Sequence, residues 1–154
     1  MSRVRVLTDS TSDIPAEVAD RLDITVVPAY VQLSNHSYRD GSSAAGLSRE
    51  QFYAQLPGMS SVPTTAVPPI HEFTEAYRAL VGKADEVIAL LISSNLSSMY
   101  NVARMAAKDV PELNIHVVDS GQVTMGLGWM VIAAAEAAAK GKGAQDILSA
   151  VDDM

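Results

Sequence analysis

The chain has 154 residues, enough for one compact domain with a full hydrophobic core. Its net charge of −7 and the lack of clustered Lys and Arg argue against a nucleic-acid-binding protein. The absence of cysteine excludes disulfide bonds and thiolate metal sites. The N-terminus has no signal-peptide pattern and the apolar stretch 129–139 is too short to span a bilayer, so we expect a cytoplasmic protein without stable membrane insertion.

Strand and helix patterns alternate from the N-terminus onward. Short apolar runs rich in β-branched residues predict strands over residues 4–7, 24–33, 87–92 and 114–118. Amphipathic spacing and capping residues predict helices over residues 16–22, 48–56, 70–81, 96–108, 123–140 and 144–151. This alternation predicts an α/β domain, in which a parallel β-sheet carries helices on both faces.

Proline and turn-forming residues interrupt this pattern. Pro28 falls inside the second predicted strand and indicates an edge position or a bulge. Residues 34–46 have turn composition. Residues 57–69 contain four prolines and predict an ordered, extended loop. A loop of this length inside a compact domain is usually functional or disordered.

A cluster of hydroxyl side chains, Ser93-Ser94-Asn95-Leu96-Ser97-Ser98, directly follows the third predicted strand. Serine is favoured at helix N-caps, which explains one serine, Ser94 or Ser97, but not four in six residues. Open α/β sheets bind ligands at the carboxyl ends of their strands. The cluster therefore predicts a binding site, and the N–H groups and dipole of the following helix favour an anion there.

Two further hydroxyls, those of Thr64 and Thr65, lie in the proline-rich loop. One interpretation is a turn in which each threonine bonds its own backbone. The other is a binding segment that Pro63 and Pro68 hold extended at low entropic cost. The sequence favours neither.

Acidic residues follow the first and the fourth predicted strands. Asp9 and Asp13 belong to the cluster Thr8-Asp9-Ser10-Thr11-Ser12-Asp13, and Asp119 precedes Ser120. Carboxylates at strand ends are candidate catalysts. Aspartate at a strand end or helix start is also an ordinary cap, and this interpretation is the stronger one.

No histidine has the spacing of a metal ligand. His36, His71 and His116 have no second His or Cys three or four residues away, so the sequence predicts no zinc site. Gly126-Leu127-Gly128 does not form a GxGxxG motif and follows no strand directly, so it is a weak dinucleotide signal. We therefore expect neither a metal nor a cofactor.

Taken in order, these motifs resemble those of the DegV proteins, a family of bacterial fatty-acid-binding proteins. The cluster from Thr8 to Asp13 is similar to the family's opening TDSTSD signature. The remaining family motifs follow along essentially the whole chain: Val27-Pro28, Tyr38 with Asp40, Pro63-Thr64-Thr65, Ile92-Ser93-Ser94, Leu96-Ser97, Val118-Asp119-Ser120 and Met125-Gly126-Leu127-Gly128. The resemblance implies the α/β fold of the family's N-terminal domain.

The chain also departs from the family pattern. Ala66-Val67 replaces the usual Ser-Gln, and Ser98-Met99 replaces the usual Gly-Thr, which changes loop shape and pocket polarity. Family members are two-domain chains nearly twice as long, with the acyl chain buried between the domains. The resemblance thus assigns residues 1–154 to the N-terminal lipid-binding domain. It implies that the second domain is absent from this chain and that the short form binds fatty acid poorly or self-associates.

What the resemblance implies about function is a non-catalytic carrier. Such a protein binds a long-chain fatty acid and presents it to a separate fatty acid kinase for phosphorylation. Thr65 or Thr64, together with Ser94 or Ser93, would hold the carboxylate, because hydroxyls and backbone N–H groups satisfy an anion without a buried positive charge. Secondary candidates for the site are Asp9, Ser10, Ser97, Asp119 and Ser120.

Two other functions stay open. The DegV fold is similar to that of dihydroxyacetone kinase subunits and sugar phosphotransferase components, so the alternative is a phosphotransferase domain that uses His71. The lack of a phosphate-binding glycine loop and of an obvious set of Mg²⁺ carboxylates argues against it. The second is an interaction domain that binds no ligand.

Overall fold

A computed structural model describes residues 2–33, 36–41, 48–59 and 61–154. Its strands are β1 (Val4–Asp9), β2 (Thr25–Val27), β3 (Tyr30–Leu33), β4 (His36–Arg39), β5 (Thr64–Ala66), β6 (Glu86–Leu91) and β7 (Asn114–Asp119). Its helices are α1 (Ala16–Arg21), α2 (Arg49–Gln55), α3 (Ile70–Arg78), α4 (Met99–Ala107), α5 (Met125–Ala139) and α6 (Ala144–Asp152). Short 3-10 turns follow β1 at Ser10–Ser12 and α2 at Leu56–Gly58.

Four parallel strands form the central sheet, in the order β2-β1-β6-β7. Every residue from Val87 to Leu91 in β6 is buried, which requires both faces of the sheet to be covered. Helices α3 and α4 pack together as one layer, while α5 packs on α6 and against β1 and β6. The predicted α/β architecture with helices on both faces is confirmed.

Helix α5 approaches the loop after β1 unusually closely. A Cβ built on Gly128 would lie 2.4 Å from the backbone oxygen of Ser12, well inside contact distance. Only glycine permits this approach. The Gly126-Leu127-Gly128 motif therefore has a packing role at Gly128, where it lets α5 lie against the end of the first strand.

A second sheet of three antiparallel strands, in the order β4-β3-β5, was not predicted. The single strand expected over residues 24–33 is instead two strands that belong to different sheets. Pro28 lies at the break between them, where it has no N–H to give to a ladder. The next N–H, that of Ala29, donates to the Ser10 hydroxyl at 3.0 Å rather than to a strand.

Two predicted loops contribute the other strands of this sheet. Residues 34–46 include β4, although their remaining part lies mostly outside the described residues. Residues 57–69 include a 3-10 turn and β5, so the predicted extended loop is wrong over Thr64–Ala66. Both strands are stabilised by pairing with β3. Strand β4 is the next strand along the chain from β3, whereas β5 is more than 30 residues away, and local patterns do not reveal a contact at that distance.

The predicted helices are all present, five of them with shorter ends and α6 with one residue more. The capping box between Ser48 and Gln51 that begins α2 is confirmed. Helix α4 begins at Met99 and not at Leu96, because the Ser97 hydroxyl accepts a hydrogen bond from the Met99 N–H at 3.2 Å and closes a local turn. Among the described residues, no helix is long and apolar enough to cross a membrane.

Candidate functional site

The loops that follow β1, β6 and β7 meet at one edge of the central sheet, because parallel strands end on the same side. Asp9, the last residue of β1, joins two of these loops. Its Oδ2 accepts a hydrogen bond from the Ile92 N–H at 2.9 Å. Its Oδ1 accepts from the Thr11 N–H at 2.9 Å and from the Thr11 hydroxyl at 2.5 Å. The carboxylate thus holds the start of the serine cluster against the loop after β1.

Asp9 is completely buried. Burial raises the pKa of its carboxyl group, and the hydrogen bonds from Thr11 and Ile92 oppose this effect. Ser10, its neighbour, accepts from the Ala29 N–H. Both residues were secondary candidates for the ligand site, and the structure shows both engaged in contacts between loops.

The loop after β7 is bonded to the first half of the serine cluster. Asp119 Oδ1 accepts from the Ser94 N–H at 3.0 Å, and the Ser93 N–H donates to the Gln122 carbonyl at 2.9 Å. Hydrogen bonding from the Ser94 side chain lowers the pKa of Asp119. The Ser120 hydroxyl donates to the Leu91 carbonyl at 2.6 Å. These bonds fix the end of β6 beside that of β7.

The second half of the serine cluster lines a cavity of about 330 Å³, which we call the hydroxyl cavity. The three-stranded sheet forms its other wall and brings Thr65 to it. Among the described residues, four serines and threonines therefore border one space although they come from three parts of the chain. They are Thr11, Thr65, Ser97 and Ser98. The remaining lining residues are Ala29, Tyr30, Val31, Asp40, Ala66, Val67, Ile92, Leu96 and Met99.

The structure separates the predicted carboxylate contacts. Thr65 borders the hydroxyl cavity, whereas Thr64 is absent from its lining. Among the described residues, the lining includes Ser97 but neither Ser93 nor Ser94. Ser93 is buried, and Ser94 faces Asp119. A role for Thr64, Ser93 or Ser94 in holding a ligand stays a prediction.

The polar groups of the cavity suit hydrogen bonding to a small head group. The Ser97 hydroxyl accepts from the Met99 N–H, and a hydroxyl that accepts still carries an O–H donor. Ser98 and Met99 place the N-terminus of the nine-residue helix α4 at the same wall. Within the part of the chain that the structure describes, the lining contains no Lys, Arg or His, and its charged member is Asp40. In the sequence, Asp40 stands out only as part of a family motif, because its place in the cavity depends on pairing between β3 and β4.

The other chemical candidates lie away from this cavity. His71 is the second residue of α3, is exposed, and is not part of the cavity lining. His116 lies in β7, where its Nε2 is 3.1 Å from Glu86 Oε2. Within the described ranges, no group of three or more His, Cys, Asp or Glu residues is placed to bind a metal ion.

Comparison with known proteins gives the family. Residues 3–154 match the family model described as "Uncharacterised protein, DegV family". The chain belongs to the DegV family. A DegV domain-containing protein of Caldanaerobacter subterraneus is 34% identical over 98% of this chain and 52% of its own length. One from Deinococcus radiodurans is 36% identical over 97% of this chain and 52% of its own length.

Solved DegV structures share this fold. A fatty-acid-binding DegV family protein from Thermus thermophilus is 33% identical, with a TM-score of 0.90 over 98% of this chain and 52% of its own. DegV of Bacillus subtilis, a fatty acid binding protein, is 28% identical, with a TM-score of 0.93 over 100% of this chain and 54% of its own. A stearic-acid-binding protein from Eubacterium ventriosum is 25% identical, with a TM-score of 0.85 over 99% of this chain and 52% of its own. The DegV chain thus spans about half the length of these relatives.

Proposed function

We propose that this DegV domain binds a long-chain fatty acid and holds its carboxylate in the hydroxyl cavity. The observation that carries the proposal is the meeting of Thr65, from the antiparallel sheet, with Ser97 and Ser98, from the edge of the parallel sheet. Relatives that share 28–33% of the sequence and the fold are fatty-acid-binding proteins. Their ligand class fits the chemistry of this cavity.

Hydroxyl donors and a helix N-terminus are suited to a carboxylate. Each carboxylate oxygen accepts several hydrogen bonds, which Thr65 and Ser97 can supply from opposite walls. The partial positive charge at the start of α4 adds a favourable electrostatic contribution. Asp40 opposes it, since two negative charges repel, so the hydrogen bonds must outweigh this repulsion.

The apolar part of the lining is suited to the first part of an acyl chain. Val31, Val67, Ile92 and Met99 provide hydrocarbon surface next to the hydroxyls. Leu96, on the same wall, is 65% exposed and adds apolar surface at the cavity rim. Each buried methylene contributes about 0.8 kcal/mol before ordering costs.

A long acyl chain needs more cover than this cavity provides. Ligand sites bury most of their ligand's surface. We infer that the tail lies against a second surface, which is either the remaining half of the family's length or another copy of this domain. The proposal that the bound acid is then passed to a separate fatty acid kinase is supported by the family resemblance.

Direct detection of the ligand tests the proposal. Native mass spectrometry of the purified protein should show a mass added by one fatty acid, which solvent extraction removes. Isothermal titration of the extracted protein with oleate should then give saturable binding of one molecule per domain. If no acid co-purifies and oleate shows no saturable binding, the proposal is contradicted.

A further inference from the structure

Three side chains join the antiparallel sheet to helix α3 through a closed set of contacts. The Tyr30 hydroxyl, on β3, donates to Glu72 Oε1 at 2.5 Å. Arg39 Nε, on β4, donates to the same Tyr30 hydroxyl at 3.1 Å. Arg39 Nη2 completes the triangle with Glu72 Oε2 at 3.1 Å. We call this set the Tyr30–Arg39–Glu72 network.

Glu72 is the buried member of the network. Its side chain is 9% exposed, against 48% for Arg39. A buried carboxylate is stable only when it is paired and hydrogen-bonded, and here each oxygen has its own partner. The loss of one partner therefore leaves a poorly solvated charge and weakens the attachment of α3 to both strands.

The network lies on either side of the segment that carries Thr65. On one side, strand β3 pairs directly with β5: Tyr30 is opposite Ala66, and the next residue, Val31, is opposite Thr65. On the other side, the chain leaves β5 and begins α3 four residues later, and Glu72 lies in the first turn of that helix. Strand β5 has three residues and lies at the edge of its sheet, so few backbone bonds hold it.

We propose that the Tyr30–Arg39–Glu72 network positions Thr65 in the hydroxyl cavity, with Glu72 as a positioning residue for ligand binding. The proposal rests on the proposed function of that cavity. The network ties β3, β4 and α3 together, so it sets where β5 lies relative to Ser97 on the opposite wall. The main core does not depend on it, because Phe73 and Tyr77 bury α3 against the rest of the domain.

Glu72→Gln is the variant that tests this assignment, with Glu75→Gln as the matched control. Glu75 is an exposed residue of the same helix. In Glu72→Gln an amide –NH₂ replaces one carboxylate oxygen, and it cannot accept a bond from Tyr30 or Arg39. Oleate affinity should fall about tenfold, as expected for a hydrogen bond to a charged group, while Glu75→Gln should bind as the unchanged protein does.

A positioning residue acts through the group it positions. In a Thr65→Ala background, Glu72→Gln should therefore cause no further loss of oleate affinity. A residue that merely supports the fold would weaken binding in both backgrounds. Independent losses that add, or oleate binding by Glu72→Gln equal to that of the unchanged protein, would overturn the proposal.

Amide hydrogen exchange in the absence of ligand separates this inference from the proposed function. Glu72→Gln should raise exchange in β3 and β5 and leave β1 and β6 protected, while Glu75→Gln should change neither pair. If oleate does not bind the unchanged protein, the proposed function fails, yet faster exchange confined to β3 and β5 still supports the positioning role. Unchanged exchange in β3 and β5 contradicts it.

Discussion

The Asp9 carboxylate accepts a hydrogen bond from the backbone N–H of Ile92, 83 residues later in the chain, at 2.9 Å. This bond joins the carboxyl ends of the two central strands. It also fixes the position of Ile92, the residue directly before the serine cluster. Asp9 is a weak catalytic candidate from the sequence. In the structure it is a buried side chain whose hydrogen bonds hold the loop after β1 against the end of β6.

Replacing Asp9 with alanine should therefore destabilise the domain. The Ile92 N–H would become a buried donor without a partner, which costs about 1–3 kcal/mol. Urea unfolding followed by circular dichroism measures the change. Asp20→Ala is the matched control, because Asp20 is exposed on α1, and it should stay within about 0.5 kcal/mol. Equal stability of the two variants would show that the Asp9 bonds contribute nothing.

The two glycines of α5 should respond differently to alanine. In Gly128→Ala the added Cβ would meet the Ser12 backbone oxygen at 2.4 Å, and backbone cannot move aside cheaply. We expect a loss of about 1–3 kcal/mol, typical of overpacking. In Gly126→Ala the nearest atom is Gln122 Oε1 at 2.9 Å, the end of a flexible side chain, so the stability should be unchanged or rise by up to about 1 kcal/mol. Thermal unfolding of both variants tests the contrast, and an equal loss would contradict the close approach at Ser12.

The contact between Ser94 and Asp119 predicts a pH effect. Hydrogen bonding from Ser94 lowers the pKa of Asp119, so the folded state binds this proton less readily than the unfolded state. The group then contributes stability above the ordinary aspartate pKa of about 3.9, and this contribution is lost as the pH falls through its lower folded-state value. Ser94→Ala should raise the pKa of Asp119, as measured by carboxyl ¹³C NMR titration, and should reduce the loss of stability on acidification. Ser98→Ala should leave the Asp119 titration unchanged, and a shift of equal size in both variants would count against a specific role for Ser94.

The parallel sheet could be predicted because its signals are local. Continuous apolar runs such as Val87–Leu91 indicate strands buried on both faces, and capping residues such as Ser48 indicate helix starts. The position of the serine cluster after β6 follows from the same pattern. Because the strands are parallel, the carboxyl ends of β1, β6 and β7 must lie at the same end of the sheet, and local patterns are enough to predict this.

The antiparallel sheet could not be predicted in this way. Strand β5 has three residues, two of them threonines, between prolines, and its pairing with β3 joins segments more than 30 residues apart. The location of Thr65 in the cavity depends on that pairing. The difference between Thr65, which borders the cavity, and Thr64, which does not, depends on the same pairing.

Titration of Thr65→Ala and Thr64→Ala with oleate tests whether Thr65 holds the ligand carboxylate. Both changes remove one hydroxyl and one methyl group from the same short strand, so both carry the same loss of strand preference. The two residues differ in that Thr65 borders the hydroxyl cavity. Thr65→Ala should bind oleate more weakly by about 1.5–3 kcal/mol, the contribution of a hydrogen bond to a charged group, whereas Thr64→Ala should retain the affinity of the unchanged protein. Equal affinities for the two variants, or the larger loss in Thr64→Ala, would contradict the assignment of the carboxylate to this cavity.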